Sequence, residues 1–245
     1  MTHRVLIALA GAAVVAAAVA CGSSTGPAAS SEAITTPPTW PVSACTELGG
    51  KVGPDRVCAV HTEGDTYTID MHFPTDYPDQ KALADVLTKQ RDQFVAAITE
   101  DEPPVNPRPK SLDITGTTYH SGTPDSGTES VVLEEHSDLG GAHGETEYES
   151  VNYDLAKKAP ITFDTLFKPG SDPVAVLDPI LLAEWRKLLD GIPIDDNLIG
   201  AKMYQAFALH DDAVVFYIGQ GMWAIEAAGP QDFSIPRSDL ASILA

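Results

Sequence analysis

Two runs of alternating residues, Ser130-Val131-Val132-Leu133-Glu134-Glu135-His136 and residues 145–153, flank Leu139-Gly140-Gly141-Ala142-His143-Gly144. Alternation is the period of a half-buried strand, and glycine supplies the positive φ that a reversing chain needs. The pattern predicts two antiparallel strands joined by a glycine-bearing turn. The pair is expected in the middle of a sheet, with residues 161–167 closing the stretch.

The flanking chain adds strands and two helical patterns. Residues 57–61 and 66–73 read as strands. The second sets Tyr67, Ile69, Met71 and Phe73 against Thr68, Asp70 and His72, one face buried and one wet. Pro78 opens a helix, being tolerated in a first turn. There Leu83, Val86, Leu87, Gln90, Phe94, Val95 and Ile98 recur at three and four, which makes one long amphipathic stripe. Residues 100–109 are an acidic, proline-rich loop, and residues 111–119 another strand. Val174, Leu177, Ile180, Leu181, Trp185, Leu188 and Leu189 return to helical spacing, with Pro179 predicting a break or two short helices. Residues 191–200 read as loop. Residues 206–209 and 213–218 form a hairpin around His210-Asp211-Asp212, and residues 233–236 are a last strand. Strands and helices neither alternate strictly nor separate fully. The expected class is α+β: a mixed, mainly antiparallel sheet with a long amphipathic helix, in a single domain over residues 45–245.

The N-terminus carries an address. Arg4 precedes an unbroken apolar run that is short for a bilayer span, so residues 1–20 read as a signal peptide. The run ends Ala18-Val19-Ala20-Cys21 and resembles the bacterial lipoprotein box, with Ala18 where leucine is usual. That resemblance implies diacylglycerol on Cys21 and an anchor in the membrane. The alternative is a plain secretory signal with an incidental cysteine. Residues 21–44 hold the lipidated cysteine and a Ser-, Pro- and Gly-rich tether that stands the domain off the membrane. Cys45 and Cys58, an even pair in an exported protein, read as a disulfide worth about 3 kcal/mol in the chain-entropy model.

Charge sets the partners. The formal net charge is −20. Such a surface repels nucleic acid and anionic lipid heads and draws basic proteins at a salt-sensitive rate. It also keeps an exported protein soluble.

Several segments, taken in order, carry a family resemblance: Tyr77-Pro78-Asp79-Gln80-Lys81, Gly140-Gly141-Ala142-His143, Pro160-Ile161-Thr162-Phe163-Asp164-Thr165-Leu166, Ala227-Ala228-Gly229-Pro230 and Pro236-Arg237-Ser238. With the paired cysteines they make residues 45–245 resemble the mycobacterial secreted immunogenic proteins, within the wider RsiV-like extracytoplasmic domains. The resemblance implies an α+β fold. The best understood member of the wider group is an anti-sigma factor whose outer domain binds lysozyme. A basic protein such as lysozyme is therefore an expected class of partner. The anti-sigma factor's sigma-binding region and transmembrane helix have no counterpart in this sequence, so its signalling role is not expected here. Esterase activity has been proposed for mycobacterial relatives, without a motif that maps here. The resemblance gives Gly140, Gly141 and His143 no role.

Motifs for chemistry are sparse. G-x-S-x-G is absent. His136-Ser137-Asp138 are triad types in consecutive positions, and neighbours on a strand point to opposite faces. Ser171 sits among turn residues. Neither HExxH nor a cysteine cluster occurs; Asp70 with His72, and His143 with Glu145, are pairs, and two ligands do not make a site. No metal or cofactor is expected. His143 is expected to fix its turn by hydrogen bonding. Met222-Trp223-Ala224-Ile225, apolar and bounded by glycines, is the candidate contact surface for a partner through Met222, Trp223 and Ile225, unless Trp223 plugs the core. The sequence thus reads as an envelope lipoprotein whose non-catalytic domain binds a partner or ligand. The alternatives are an esterase and a structural envelope protein.

Overall fold

The seven strands of the larger sheet lie in the order in which the chain lays them down: β1 (Lys51–Val52), β2 (Val57–Glu63), β3 (Tyr67–Pro74), β4 (Lys110–Ser121), β5 (Thr128–Asp138), β6 (Glu145–Asp154) and β7 (Ala159–Pro160). This is a computed structural model describing residues 43–100, 109–188, 200–223 and 225–245. The expected signal peptide, Cys21, nearly all of the tether and residues 191–199 of the expected loop lie outside the described residues. Neighbouring strands are antiparallel except β3 and β4, which run parallel with Met71 opposite Ile114. The exception follows from α2 (Gln80–Glu100), which carries the chain back between them. Asp79 caps this helix by accepting from Ala82 N at 3.0 Å, so the helix begins just beyond Pro78.

One face of this sheet presents Ile69, Met71, Leu112, Ile114, Val131 and Leu133 to Leu83, Leu87 and Phe94 of α2. The short helix α1 (Ser43–Glu47) is tied to β2 by the Cys45–Cys58 disulfide, with a Cα–Cα distance of 5.7 Å. Gly50 is needed beside it, because a Cβ there would overlap Cys58 Sγ and Val60.

A second, three-stranded sheet of order β10-β9-β8 is built from β8 (Phe207–Leu209), β9 (Ala213–Ile218) and β10 (Gln231–Pro236). With α3 (Phe163–Leu166), α4 (Pro173–Leu188) and α5 (Arg237–Leu240) it encloses a second core around Trp185, Tyr204, Phe216, Trp223 and Phe233. Strand β8 docks edge-on against the face of the first sheet that α2 leaves open. Its outward backbone groups are satisfied by small polar side chains: Leu209 N donates to Ser130 Oγ at 3.1 Å, Phe207 N to Ser150 Oγ at 3.0 Å, and Asn152 Nδ2 to Phe207 O at 3.0 Å. These bonds meet the requirement that buried backbone groups be paired.

The fold is α+β, mixed and mainly antiparallel, and the described residues fall in one unit, Pro38–Ala245. Two expectations are corrected. The β5–β6 pair is not the middle of the sheet: β4 is central, and β6 lies next to the edge, flanked only by the two residues of β7. Residues 173–188 form one helix through Pro179 rather than two. Pro179 and Ala175 lie on the exposed side, where the carbonyl that loses its intrahelical donor meets water.

Candidate functional site

On the α2 side of the first sheet the apolar layer stops at Leu133, and carboxylates take over. Residues 145, 147 and 149 of β6 share that face with Ser137 and Glu135 of β5, because strand side chains alternate. Cross-strand pairing sets Glu135 opposite Glu147, and Ser137 opposite Glu145. The second half of α2 forms the other wall. The result is a groove of about 260 Å³ lined by Gln90, Phe94, Glu135, Glu145, Glu147 and Glu149 among others.

Electrostatics here are unbalanced. Burial holds the Glu135 carboxyl above the usual range and the Glu147 charge adds to the effect, while a hydrogen bond from Gln90 opposes it. Gln90 is only 4% exposed, and its Oε1 has no hydrogen-bond partner. A buried acceptor without a donor costs about 1–3 kcal/mol. Lys89 Nζ stands 3.5 Å from Glu149 Oε1, a loose pair at the rim. The groove therefore presents acceptors to a ligand that brings donors and positive charge. No group of three or more His, Cys, Asp or Glu among the described residues is arranged to hold a metal ion. Successive acids on one face of a strand stand about 7 Å apart, a spacing that suits an extended, multiply charged ligand.

The Gly-Gly-Ala-His segment borders this region. Gly140 adopts φ +84°, and its N donates to Asp138 Oδ1 at 2.7 Å. His143 Nδ1 donates to the Gly144 carbonyl at 3.0 Å, as a turn-fixing residue should, and its Nε2 lies 2.9 Å from Glu226 Oε2. The Gly144 carbonyl and then the Glu226 carboxylate raise the His143 pKa. His143 thus ties the β5–β6 turn to the 3-10 turn Glu226–Ala228 ahead of β10.

Trp223 is not an exposed contact. It is 1% exposed, with its ring 4.8 Å from Trp185 and 6.1 Å from Phe233. The large apolar area of an indole is worth more inside the second core than at the surface. Met222 and Ile225 remain outside, at 38% and 57% exposure.

The triad residue types are dispersed. Ser137 faces the groove, whereas His136, on the opposite face, contacts Thr146 Oγ1 at 3.1 Å. Ser171 Oγ donates to Lys168 O at 2.7 Å, and Ser121 Oγ accepts from Arg237. Both ring nitrogens of His143 are engaged. Asp70 pairs with His61 across the β2–β3 ladder at 2.7 Å rather than with His72. The sequence reading gives Glu135, Glu147 and Glu149 no role, takes Gln90 only as part of the helical stripe, and weighs Glu145 only as a metal pair with His143. The signal was there: a row of acids at alternate positions, and one glutamine inside an otherwise apolar helical stripe.

Known proteins match this chain over most of its length. Esterase Rv3036c of Mycobacterium tuberculosis is 40% identical over 205 residues, covering 81% of this chain and 89% of the relative. Immunogenic protein MPB64 of Mycobacterium bovis is 36% identical over 207 residues, covering 84% and 90%. The chain belongs to the MPB64/MPT64 immunogenic protein family. Residues 164–238 match the family described as a protein of unknown function, DUF3298. The crystal structure of a DUF3298 family protein from Pseudomonas aeruginosa PAO1 superposes with a TM-score of 0.50 at 16% identity, covering 79% of this chain and 96% of that one. That likeness concerns the fold alone.

Proposed function

We propose that this protein is an exported lipoprotein, held at the outer face of the cell membrane through diacylglycerol on Cys21, whose domain binds a positively charged partner. The observation that carries the binding reading is the groove between α2 and β5–β6, which four glutamates line together with buried Gln90, whose Oε1 has no partner. Membership of an immunogenic protein family supports an extracytoplasmic location. Among the described residues no helix is long and apolar enough to cross a membrane, so on this reading the anchor is the lipid.

Lysozyme serves as the test partner, being a basic protein, with cytochrome c as an equally basic control. Surface kinetics at low and physiological salt should show saturable lysozyme binding that outlasts that of the control, and Glu147→Gln/Glu149→Gln should weaken it. Equal binding of both proteins that vanishes at physiological salt would reduce the groove to nonspecific charge. For the anchor, a fatty-acid analogue should label the wild type in cells and leave Cys21→Ser unlabelled.

A second reading, hydrolysis of short acyl esters, is favoured by the name of the 40% identical relative. Ser137 is the serine within the groove. Ester turnover by folded protein that disappears in Ser137→Ala would establish this reading.

A further inference from the structure

Among the described residues, the outer edge of β6 has no backbone partner in its middle, where Gln205 lines the grooves on both sides. Two segments already bond to it from outside: Gln220 N donates to Thr146 O at 2.8 Å, and Ile161 N to Asn152 O at 2.8 Å. In a strand, the amide and carbonyl of one residue point to the same side, and alternate residues point alike. Tyr148 and Ser150 therefore direct N–H and C=O away from β5, between these two bonds. Among the described residues no backbone group pairs with them. A groove of about 560 Å³, lined by Lys89 and Lys202 as well as by Glu147, Glu149, Tyr217 and Met222, opens at one end of this gap. Another of about 210 Å³, lined by Ser150, Asn152, Ile161 and Phe207 among others, opens at the other.

We infer that this gap is a strand-addition site, and that its occupant is an extended basic segment of a partner protein. The inference rests on the binding reading above and gives it a geometry. A strand added to β6 would form up to four backbone bonds with Tyr148 and Ser150, the mode by which exposed sheet edges take up peptides. Its side chains would alternate between two chemistries. Those on the α2 side meet Glu147, and Glu149 once its loose pair with Lys89 opens; those on the other side meet Tyr148, Tyr217 and Met222. The site thus selects basic residues alternating with apolar or aromatic ones. The same glutamates disfavour a second copy of this chain, because pairing β6 with β6 would bring like carboxylates together.

The test uses a synthetic peptide of alternating lysine and valine, together with the same peptide N-methylated at the residues whose amides would meet β6. Both carry the same charge. The expected result with full-length protein is slowed hydrogen exchange at the Tyr148 and Ser150 amides, and binding at least ~10-fold weaker after N-methylation. Tyr148→Pro removes an outward N–H without touching the β5–β6 ladder, so it should fold and lose the peptide, whereas Tyr148→Val should retain it. Equal binding of both peptides with no protection of these amides would overturn strand addition. If that equal binding still weakened in Glu147→Gln/Glu149→Gln, the acidic groove would survive it. Absence of peptide binding at low salt would overturn the inference too, and lysozyme kinetics would then decide the broader reading separately.

Discussion

Glu135 on β5 stands directly opposite Glu147 on β6, two like charges paired across a ladder on a half-buried face. Such pairs destabilise a sheet by roughly 0.2–1 kcal/mol. Their persistence next to the unpartnered Gln90 Oε1 suits a site built for a cation rather than for stability. Glu135→Gln should therefore act in two opposite directions. It should raise stability at neutral pH by up to about 1 kcal/mol in urea denaturation, and weaken binding of a basic partner. The pH dependence has a definite sign. Folding raises the Glu135 pKa above its ordinary 4.5, so its contribution is full below that value and is lost as pH rises through the folded pKa. The wild type should lose stability over that window, and Glu135→Gln should lose less. Parallel curves for the two proteins would remove Glu135 as the cause.

The His143–Glu226 contact is a second pH-sensitive tie. Nδ1 faces a carbonyl and must carry a proton, so only the doubly protonated ring can donate to Glu226 as well. The raised pKa means that the tie is complete below 6.5, the ordinary value, and fades as pH rises through the folded pKa. Proton NMR titration should place His143 above 6.5, and His143→Ala should cost more stability at pH 5.5 than at pH 9, where only the Nδ1 bond to Gly144 is left to lose. An unshifted titration would rule the tie out in solution.

Much of the fold was legible because burial there is one-sided. Ile69, Met71 and Phe73 alternate with polar residues, and Leu83, Leu87 and Phe94 recur at helical spacing; each pattern reports one buried face. The inter-sheet seam was illegible for the same reason. Ser130, Ser150 and Asn152 look like solvent positions, yet Ser130 and Asn152 are buried because β8 arrives edge-on and needs their polar atoms. Local chemistry read well where the partners are close in sequence, as with His143 and its own turn. Glu226, far along the chain, had no sequence signal. Trp223, a candidate contact in the sequence, is a core plug in the fold, because a glycine-bounded aromatic fits either role and local sequence does not report which.

The disulfide tethers α1, whose Ala44 and Leu48 are also packed into the first core. Closing Cys45 onto Cys58 constrains a sequence separation of 13 and contributes about 3 kcal/mol on the chain-entropy account. Reduction should lower the midpoint of thermal unfolding by roughly 6–12 °C for a domain of this size. Thiol titration of the unreduced mature protein should find neither Cys45 nor Cys58, and two titratable thiols there would contradict the bridge.

The glycines of the β5–β6 turn should differ in tolerance. Gly140 needs positive φ, so Gly140→Ala should cost about 1–2 kcal/mol. A Cβ on Gly144 would sit 2.7 Å from the His136 ring and 3.0 Å from Ser137 O, so Gly144→Ala should also destabilise. A Cβ on Gly141 would meet nothing nearer than His143 O at 3.9 Å, and Gly141→Ala should stay within about 0.5 kcal/mol of wild type. Equal losses at Gly140 and Gly141 in denaturant titration would show that the segment is constrained by something other than backbone geometry.

Trp223 and Ile225 are two residues apart and should behave as different kinds of residue. Trp223 fills the second core against Trp185 and Phe233, and truncating a buried aromatic typically costs about 3–5 kcal/mol. Ile225 is 57% exposed, so Ile225→Ala should change stability by no more than about 0.5 kcal/mol. Guanidinium unfolding followed by tryptophan fluorescence separates them: Trp223→Ala should shift the transition far to lower denaturant, and Ile225→Ala should superpose on wild type. Binding then adds a second axis. A partner that reaches this loop must do so through Met222 and Ile225, so Met222→Ala/Ile225→Ala should speed dissociation in a protein of unchanged stability. If that double variant dissociates like wild type, the loop serves the core alone, and recognition belongs to the acidic face of β5 and β6.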